Sequence, residues 1–380
     1  MPIKNSLKIQ VGNNSDIMKK IIYLFIFISL LLINISCQEK TEEYGQPSIF
    51  EVTTTTKSEA ITTAALNDWI TVSGTNFYDI EQILLNDISL KLNDVYISQN
   101  EITFQIPRKL PEDVNNLITI ITPQGNASQH FVIKTPELLV KGLSNEFTLP
   151  GDSVIILGDN FDLYKFDTTM TVNFGELESL IYKVEKEKLY VKVPDKTPDE
   201  TVVSITNPLS KEKVKVLGLY RDTRSYQIMT FDNKGFWTNT NLTAGPDSLS
   251  INGKYFHFKG KTTFNYMIHF TPNELIKDKS IFNSQNITKY QLKFEILTFQ
   301  PYGKTFFSIS FAASPANVVY LWKPAPFDTQ KEWKTVTIDL DNWDFSSTTT
   351  INNNMYINLQ STTAEDQDFC LDNFRIVPKD

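Results

Sequence analysis

Four of the five tryptophans in this chain, Trp237, Trp322, Trp333 and Trp343, fall within residues 220–380, and their neighbours decide what their rings can do. A flat indole or phenol ring held in solvent can cover the C–H face of a sugar while polar side chains satisfy the hydroxyl rim. Trp322 precedes Pro324 and Pro326, which disfavour a continued central strand and predict a strand end or loop. Trp237 lies in the turn-rich segment Asp232–Asn239, and Tyr302 stands between Pro301 and Gly303. Trp343 follows Asp341-Asn342, where stacking and packing are both open to it. Trp322, Trp237, Trp343 and Tyr302 are therefore the candidate ligand-stacking residues.

No constellation for catalysis accompanies them. Glycoside hydrolysis needs two carboxylates across a cleft, and a pair such as Glu295 with Asp344 is one arbitrary choice among many. His130, His257 and His269 are scattered without metal-ligand spacing, and the chain has no nucleophile elbow, phosphate loop or dinucleotide fingerprint. A net charge of −8 provides no broad cationic field for phosphates, which excludes nucleic acid as a partner and suits a neutral ligand.

The elements that must position these residues are strands. Thr, Ile, Val, Phe and Tyr are frequent, and short alternating segments are punctuated by Gly, Asn, Asp and Pro. The chain also repeats itself at an offset of roughly 85 residues. Trp69–Phe77 (WITVSGTNF) matches Ser153–Phe161 (SVIILGDNF), Ile102–Pro107 matches Leu189–Pro194, and Ile118–Pro123 matches Val203–Pro208. Within each unit the glycine of Gly-x-Asn-Phe is expected to take a positive φ as the chain leaves a strand, with Asn in the turn and Phe returning to the core. The repeat stops near Tyr220, after which seven or eight further strand-like stretches predict a jelly-roll sandwich.

Ahead of the strands, Met18-Lys19-Lys20 leads into an apolar run from Ile21 to Ile35, a signal h-region too short to span a membrane. Ser36-Cys37 at its end resembles a bacterial lipobox, with Asn34 and Ile35 departing from the usual small-residue pattern. Cys37 is the expected lipidation site, and residues 1–17 read as an extension upstream of the signal. The acid-rich Gln38–Glu43 is similar to the export signal of Bacteroidetes surface lipoproteins, or serves as a plain linker. Cys370, in the apolar Phe369-Cys370-Leu371, is then a lone thiol acting as a small buried hydrophobe.

The pattern strand, Gly-x-Asn-Phe, strand, strand-Pro, strand resembles the IPT/TIG family of immunoglobulin-like domains. Together with the lipobox, Asn252–Gly260, Glu332–Leu340 and the closing Phe369–Ile376, it makes the chain resemble the surface glycan-binding lipoproteins of Bacteroidetes polysaccharide-utilisation systems, typified by xyloglucan binders. The resemblance implies an all-β chain: signal and extension at 1–36, an acidic tether at 37–46, IPT/TIG sandwiches at 47–136 and 137–219, and a glycan-binding jelly-roll-type sandwich at 220–380. It implies that the tandem units are spacers and that Trp333 is a packing residue. It also implies a polysaccharide ligand such as a β-glucan or hemicellulose, xyloglucan among them, and an outer-membrane location facing the cell exterior. A TonB-dependent transporter and its companion glycan-binding lipoprotein are the implied partners. No cofactor is expected beyond a structural calcium, for which Asp232, Asn233 and Asp372 could supply oxygens. An adhesin with a protein partner would share the anchor and spacers without binding glycan.

Overall fold

Large apolar residues alternate with polar ones through most of the chain, as strands with one buried face require, and the fold is accordingly almost entirely β. The computed structural model describes residues 18–20, 22–23, 45–224, 226–232, 242–262, 266–270, 286–301, 303–310, 320–323, 326–342, 355–361 and 363–379. They divide into two units, Met1–Pro107 with Pro111–Ile133, and Arg108–Leu110 with Lys134–Asp380.

In the first unit one four-stranded sheet runs Ser48–Thr54, Trp69–Thr75, Glu101–Gln105, Tyr96–Ile97, and another runs Ile88–Ser89, Gln82–Leu85, Leu117–Thr122, Gly125–His130. Their inward positions, including Ile70, Val72, Ile102 and Phe104 in the first and Ile83, Leu85, Ile118 and Ile120 in the second, are fully buried. The second unit begins with a closed seven-stranded arrangement of the same kind. Leu139–Leu143 pairs antiparallel with Ser153–Asp159 and parallel with Lys213–Tyr220, joining its two edges. Phe161, Phe174, Leu189, Ile205 and Tyr220 fill that core, and the Tyr220 hydroxyl donates to the Thr148 carbonyl at 2.8 Å.

The repeated Gly-x-Asn-Phe works differently from the expectation. The left-handed residue is the asparagine, at φ 61° for Asn76 and 67° for Asn160. A short polar side chain tolerates that conformation because it can bond locally, and each Asn Nδ2 donates to the strand entering its domain, at Gln46 O (3.0 Å) and Glu137 O (2.8 Å). The glycines are needed for space. A Cβ on Gly74 would overlap the Phe77 ring and the Ser48 carbonyl, and one on Gly158 the Phe161 ring and the Leu139 carbonyl.

The rest of the second unit is a two-sheet sandwich. Its larger sheet runs Thr243–Ala244, Tyr255–Thr262, Glu365–Pro378, Tyr290–Thr298, Lys334–Asp339, with Tyr226–Met229 also paired to the long Glu365–Pro378. The smaller sheet runs Tyr266–Phe270, Met355–Ser361, Thr305–Ser310, Tyr320–Trp322. Phe294 and Ile296 of the larger sheet and Phe307, Ile309, Ile357 and Leu359 of the smaller one share a core, in which Phe294 stacks on Phe374 at 4.8 Å.

The sequence separates a domain at 137–219 from one at 220–380, whereas the structure holds both in one unit. An ionic contact joins the two. Between core residues Leu292, Phe294 and Ile296, the alternate positions Lys293 and Glu295 face outward, as does Arg375 on the neighbouring strand, yet all three are buried. Glu146 of the preceding domain reaches them, placing Oε1 2.5 Å from Lys293 Nζ and Oε2 2.6 Å from Arg375 Nη2. Arg375 also meets Glu295 at 3.0 Å, Thr335 donates to Glu295 at 2.8 Å, and the Glu146 amide donates to the Thr335 hydroxyl at 2.8 Å. Two cations and two carboxyl groups thus meet in one buried cluster. Removing one partner strands a buried charge, so Glu146→Ala is expected to cost about 3–5 kcal/mol. Urea unfolding monitored in both domains should then separate into two transitions; a single unshifted transition would contradict the linkage.

Candidate functional site

The structure corrects the placement of Trp322. Pro324 and Pro326 follow the end of strand Tyr320–Trp322, as the sequence predicts, but alternation turns the last residue inward. Trp322 opposes Phe307 on the neighbouring strand and keeps only 7% of its surface exposed. Its ring lies 4.9 Å from Phe307, 5.4 Å from Phe294 and 5.2 Å from Phe327, inside the sandwich core. Leu321, one residue earlier, is the exposed member of that strand. Trp322 is therefore a core residue and not a stacking platform.

Trp333 packs as the resemblance implied. Its Nε1 donates to the Leu249 carbonyl at 2.7 Å, and its ring meets Tyr255 edge-on at 5.9 Å. Trp237, Trp343, Tyr302 and Cys37 lie outside the described residues. In chain order Tyr302 leads into strand Thr305–Ser310, Trp343 lies between Leu340–Asn342 and Met355–Ser361, and Trp237 lies between Tyr226–Met229 and Thr243–Ala244.

The acidic residues with chemical potential are engaged internally. Glu295 is wholly buried, its carboxyl pushed up by burial and drawn back by Arg375. Burial also raises the Asp372 carboxyl, to about 9, so at neutral pH it is held as the uncharged acid. Asn233 lies outside the described residues, and among those described no three His, Cys, Asp or Glu side chains are grouped to hold a metal. His257 Nε2 sits 2.8 Å from Asp368. Burial pushes the Cys370 thiol up as well, and it packs with Tyr255 and Leu297 as a small apolar group.

Among the described residues, the two outer faces of the last sandwich differ in what covers them. The outer face of the larger sheet is covered, on one side by Glu146 and on the other by the Leu249, Tyr255 and Trp333 cluster. On the smaller sheet Asn358, Ser308 and Leu321 form one outward cross-strand row, since Ile309, Phe307 and Trp322 take the inward positions. Gln360 and Phe306 form the next row, with Lys323 Nζ 4.4 Å from the Phe306 ring centre. Ser308 Oγ and Asn358 Oδ1 are buried without a hydrogen-bond partner. Such orphaned polar atoms typically cost about 1–3 kcal/mol each; Ser308 is itself buried, so the accessible members of this face are Leu321, Asn358, Gln360 and Phe306. The sequence reading missed this row because Ser308 and Asn358 are ordinary strand residues until their register is known.

Residues 220–378 match the family model of the surface glycan-binding protein B xyloglucan binding domain. No curated protein shows a significant sequence match to the chain. Among solved structures, the surface glycan-binding protein PbSGBP-B from Prevotella bryantii aligns over 88% of this chain and 99% of its own, at 19% identity and a TM-score of 0.52. SGBP-B from a complex xyloglucan utilization locus in Bacteroides uniformis aligns over 87% of this chain and 99% of its own, at 17% identity and a TM-score of 0.50. At these identities the likeness is one of fold, an all-β chain of successive sandwiches.

Burial sets the outcome for Trp322→Ala. The variant is expected to lose about 3–5 kcal/mol of folding stability, as for other buried aromatics, measured by denaturant unfolding. Stability within about 0.5 kcal/mol of wild type, the range of an ordinary surface change, would return Trp322 to the surface.

Proposed function

We propose that this chain is a non-catalytic, cell-surface polysaccharide-binding lipoprotein that captures glycan by aromatic stacking for a polysaccharide-utilisation system. The observation that carries the reading is the match of residues 220–378 to a xyloglucan-binding domain, in a part of the chain where Leu321 of the smaller sheet is exposed and Phe306, Asn358 and Gln360 are partly exposed. The ligand class that follows is a neutral β-glucan or hemicellulose, with xyloglucan the first candidate.

In this reading the ligand lies across the outer face of the smaller sheet. The partly exposed Asn358 and Gln360 offer hydrogen bonds to sugar hydroxyls, and Phe306 offers an apolar ring with Lys323 Nζ 4.4 Å from its centre. Trp343 and Tyr302, in segments joined to strands of this sheet, and Trp237 are the stacking candidates. The two preceding sandwiches are IPT/TIG spacers, and the Glu146 network makes the second of them continuous with the glycan domain.

The reading is tested by affinity electrophoresis of the soluble chain, lacking residues 1–37, across a polysaccharide panel. Retardation by xyloglucan is expected. Trp343→Ala or Trp237→Ala should each weaken binding by about 2 kcal/mol or more at a true stacking site, and Asn358→Ala by about 1 kcal/mol. Wild type running unretarded through every gel would sink the proposal.

Lipid attachment at Cys37 belongs to the same reading, supported by the apolar run that ends at Ser36-Cys37. Cys37→Ala is expected to move the protein from the membrane to the soluble fraction. Persistence of the variant in the membrane fraction, together with indifference of the wild type to globomycin, would refute the anchor.

A further inference from the structure

The first unit carries an exposed aromatic pair that its own fold does not use. Trp69 opens strand Trp69–Thr75 and Tyr96 lies in the edge strand Tyr96–Ile97. Both stand on the outer face of their sheet, because Ile70, Val72, Ile102 and Phe104 occupy the inward positions and are fully buried. The strand Glu101–Gln105 runs between them, pairing with Trp69 at Gln105 and with Tyr96 at Thr103. The two rings meet with centroids 6.1 Å apart and planes inclined by 38°, yet Trp69 keeps 42% and Tyr96 70% of its surface in solvent.

The neighbours of the pair are polar and mostly satisfied. Thr71 and Thr103 bond hydroxyl to hydroxyl at 2.8 Å, and Gln105 Nε2 donates to the Asn67 carbonyl at 2.9 Å. Lys57 and Glu101 neutralise each other farther along the face. The duplicated domain provides an internal comparison. Tyr190, which the repeat aligns with Thr103, donates its hydroxyl to Glu185 at 3.1 Å and has Lys183 Nζ 4.7 Å from its ring centre. That repeat sets Tyr190 against its own ion pair, with a half-exposed Tyr182 6.0 Å away, whereas the rings of Trp69 and Tyr96 have no such ion pair against them.

Two rings set among threonines, a glutamine and a neutralised ion pair make a patch too small and too polar for a stable protein interface. Such an interface buries about 800 Å² per partner around an apolar centre. A sugar needs little more than a flat ring and a rim of hydrogen-bonding groups. The rings are also carried on paired strands, so holding them costs little further entropy on binding.

We propose that Trp69 and Tyr96 form a second, weaker polysaccharide-binding platform in the first unit, for the same neutral polymer that the last domain takes. The proposal rests on the glycan-binding reading of residues 220–378. Its physical advantage is effective concentration: once one site holds a long polymer, capture of another stretch by a second site becomes intramolecular and slows release without strong affinity of its own.

The test compares the soluble chain with its Trp69→Ala/Tyr96→Ala double variant, using polymeric xyloglucan and a short xylogluco-oligosaccharide as probes. Matching thermal melts should show that both proteins are folded. The double variant is expected to bind the polymer on the order of tenfold more weakly, with oligosaccharide affinity unchanged, while Tyr96→Phe retains wild-type retardation. Equal retardation of wild type and double variant by the polymer would overturn the platform and leave the last domain's function intact. Parallel loss for polymer and oligosaccharide would also overturn it, by placing the effect outside this pair. No binding of either probe by wild type would instead remove the reading of the last domain, and this proposal with it.

Discussion

Glu146 is the residue on which the arrangement of the second unit depends. A single carboxylate accepts from both Lys293 and Arg375, while Arg375 also meets Glu295, so two cations and two carboxyl groups share one buried cluster. Burial works against the charge on Arg375, and Glu146 and Glu295 more than offset it, holding the guanidinium firmly protonated. A network of this kind is weak as net stabilisation but severe as a constraint, because every alternative placement leaves an ion unpaired. It is directional where an apolar contact is not. The Phe147 ring under the Arg375 guanidinium at 4.7 Å and the Thr335 amide bonded to Ser144 add to a junction with little freedom to slide.

That junction determines which face of the last sandwich can do anything else. A two-sheet sandwich has two outer faces, and the larger sheet's is taken by Glu146 and by the Trp333 cluster. The long strand Glu365–Pro378 lies at the centre of this sheet, paired along its length with three others, and its outward residues are accordingly buried, Cys370, Asp372 and Arg375 among them. Burial raises the pKa values of the Cys370 thiol and the Asp372 carboxyl, so neither is a reactive ion at neutral pH. The outer face of the smaller sheet is mixed among the described residues: Leu321 is exposed and Phe306, Asn358 and Gln360 are partly exposed, while Ser308 and Ser310 are buried.

The duplicated domains show the same economy. Each needs a glycine where a phenylalanine ring closes over the strand end and an asparagine where the chain must turn left-handed. These demands are internal to each sandwich, which is why Gly-x-Asn-Phe recurs while the outer faces diverge. On those faces one copy sets Tyr190 against Lys183 and Glu185 beside a half-exposed Tyr182, and the other sets Trp69 against Tyr96.

The sequence by itself determined the all-β class and most strands of the last sandwich, because period-two alternation and turn residues are local properties. It also identified Trp333 as a packing residue, through resemblance. It misjudged Trp322, since the prolines after it correctly mark a strand end but say nothing about which face the last strand residue takes. It credited the glycine of Gly-x-Asn-Phe with a conformation that the asparagine adopts, because either residue can turn left-handed and only packing distinguishes them. Glu146, Lys293, Glu295 and Arg375 are ordinary charged residues far apart in the chain, and Ser308 and Asn358 are ordinary strand residues. Only the tertiary structure brings the first four together out of water and sets the last two side by side, because burial and cross-strand register are decided by partners distant in sequence.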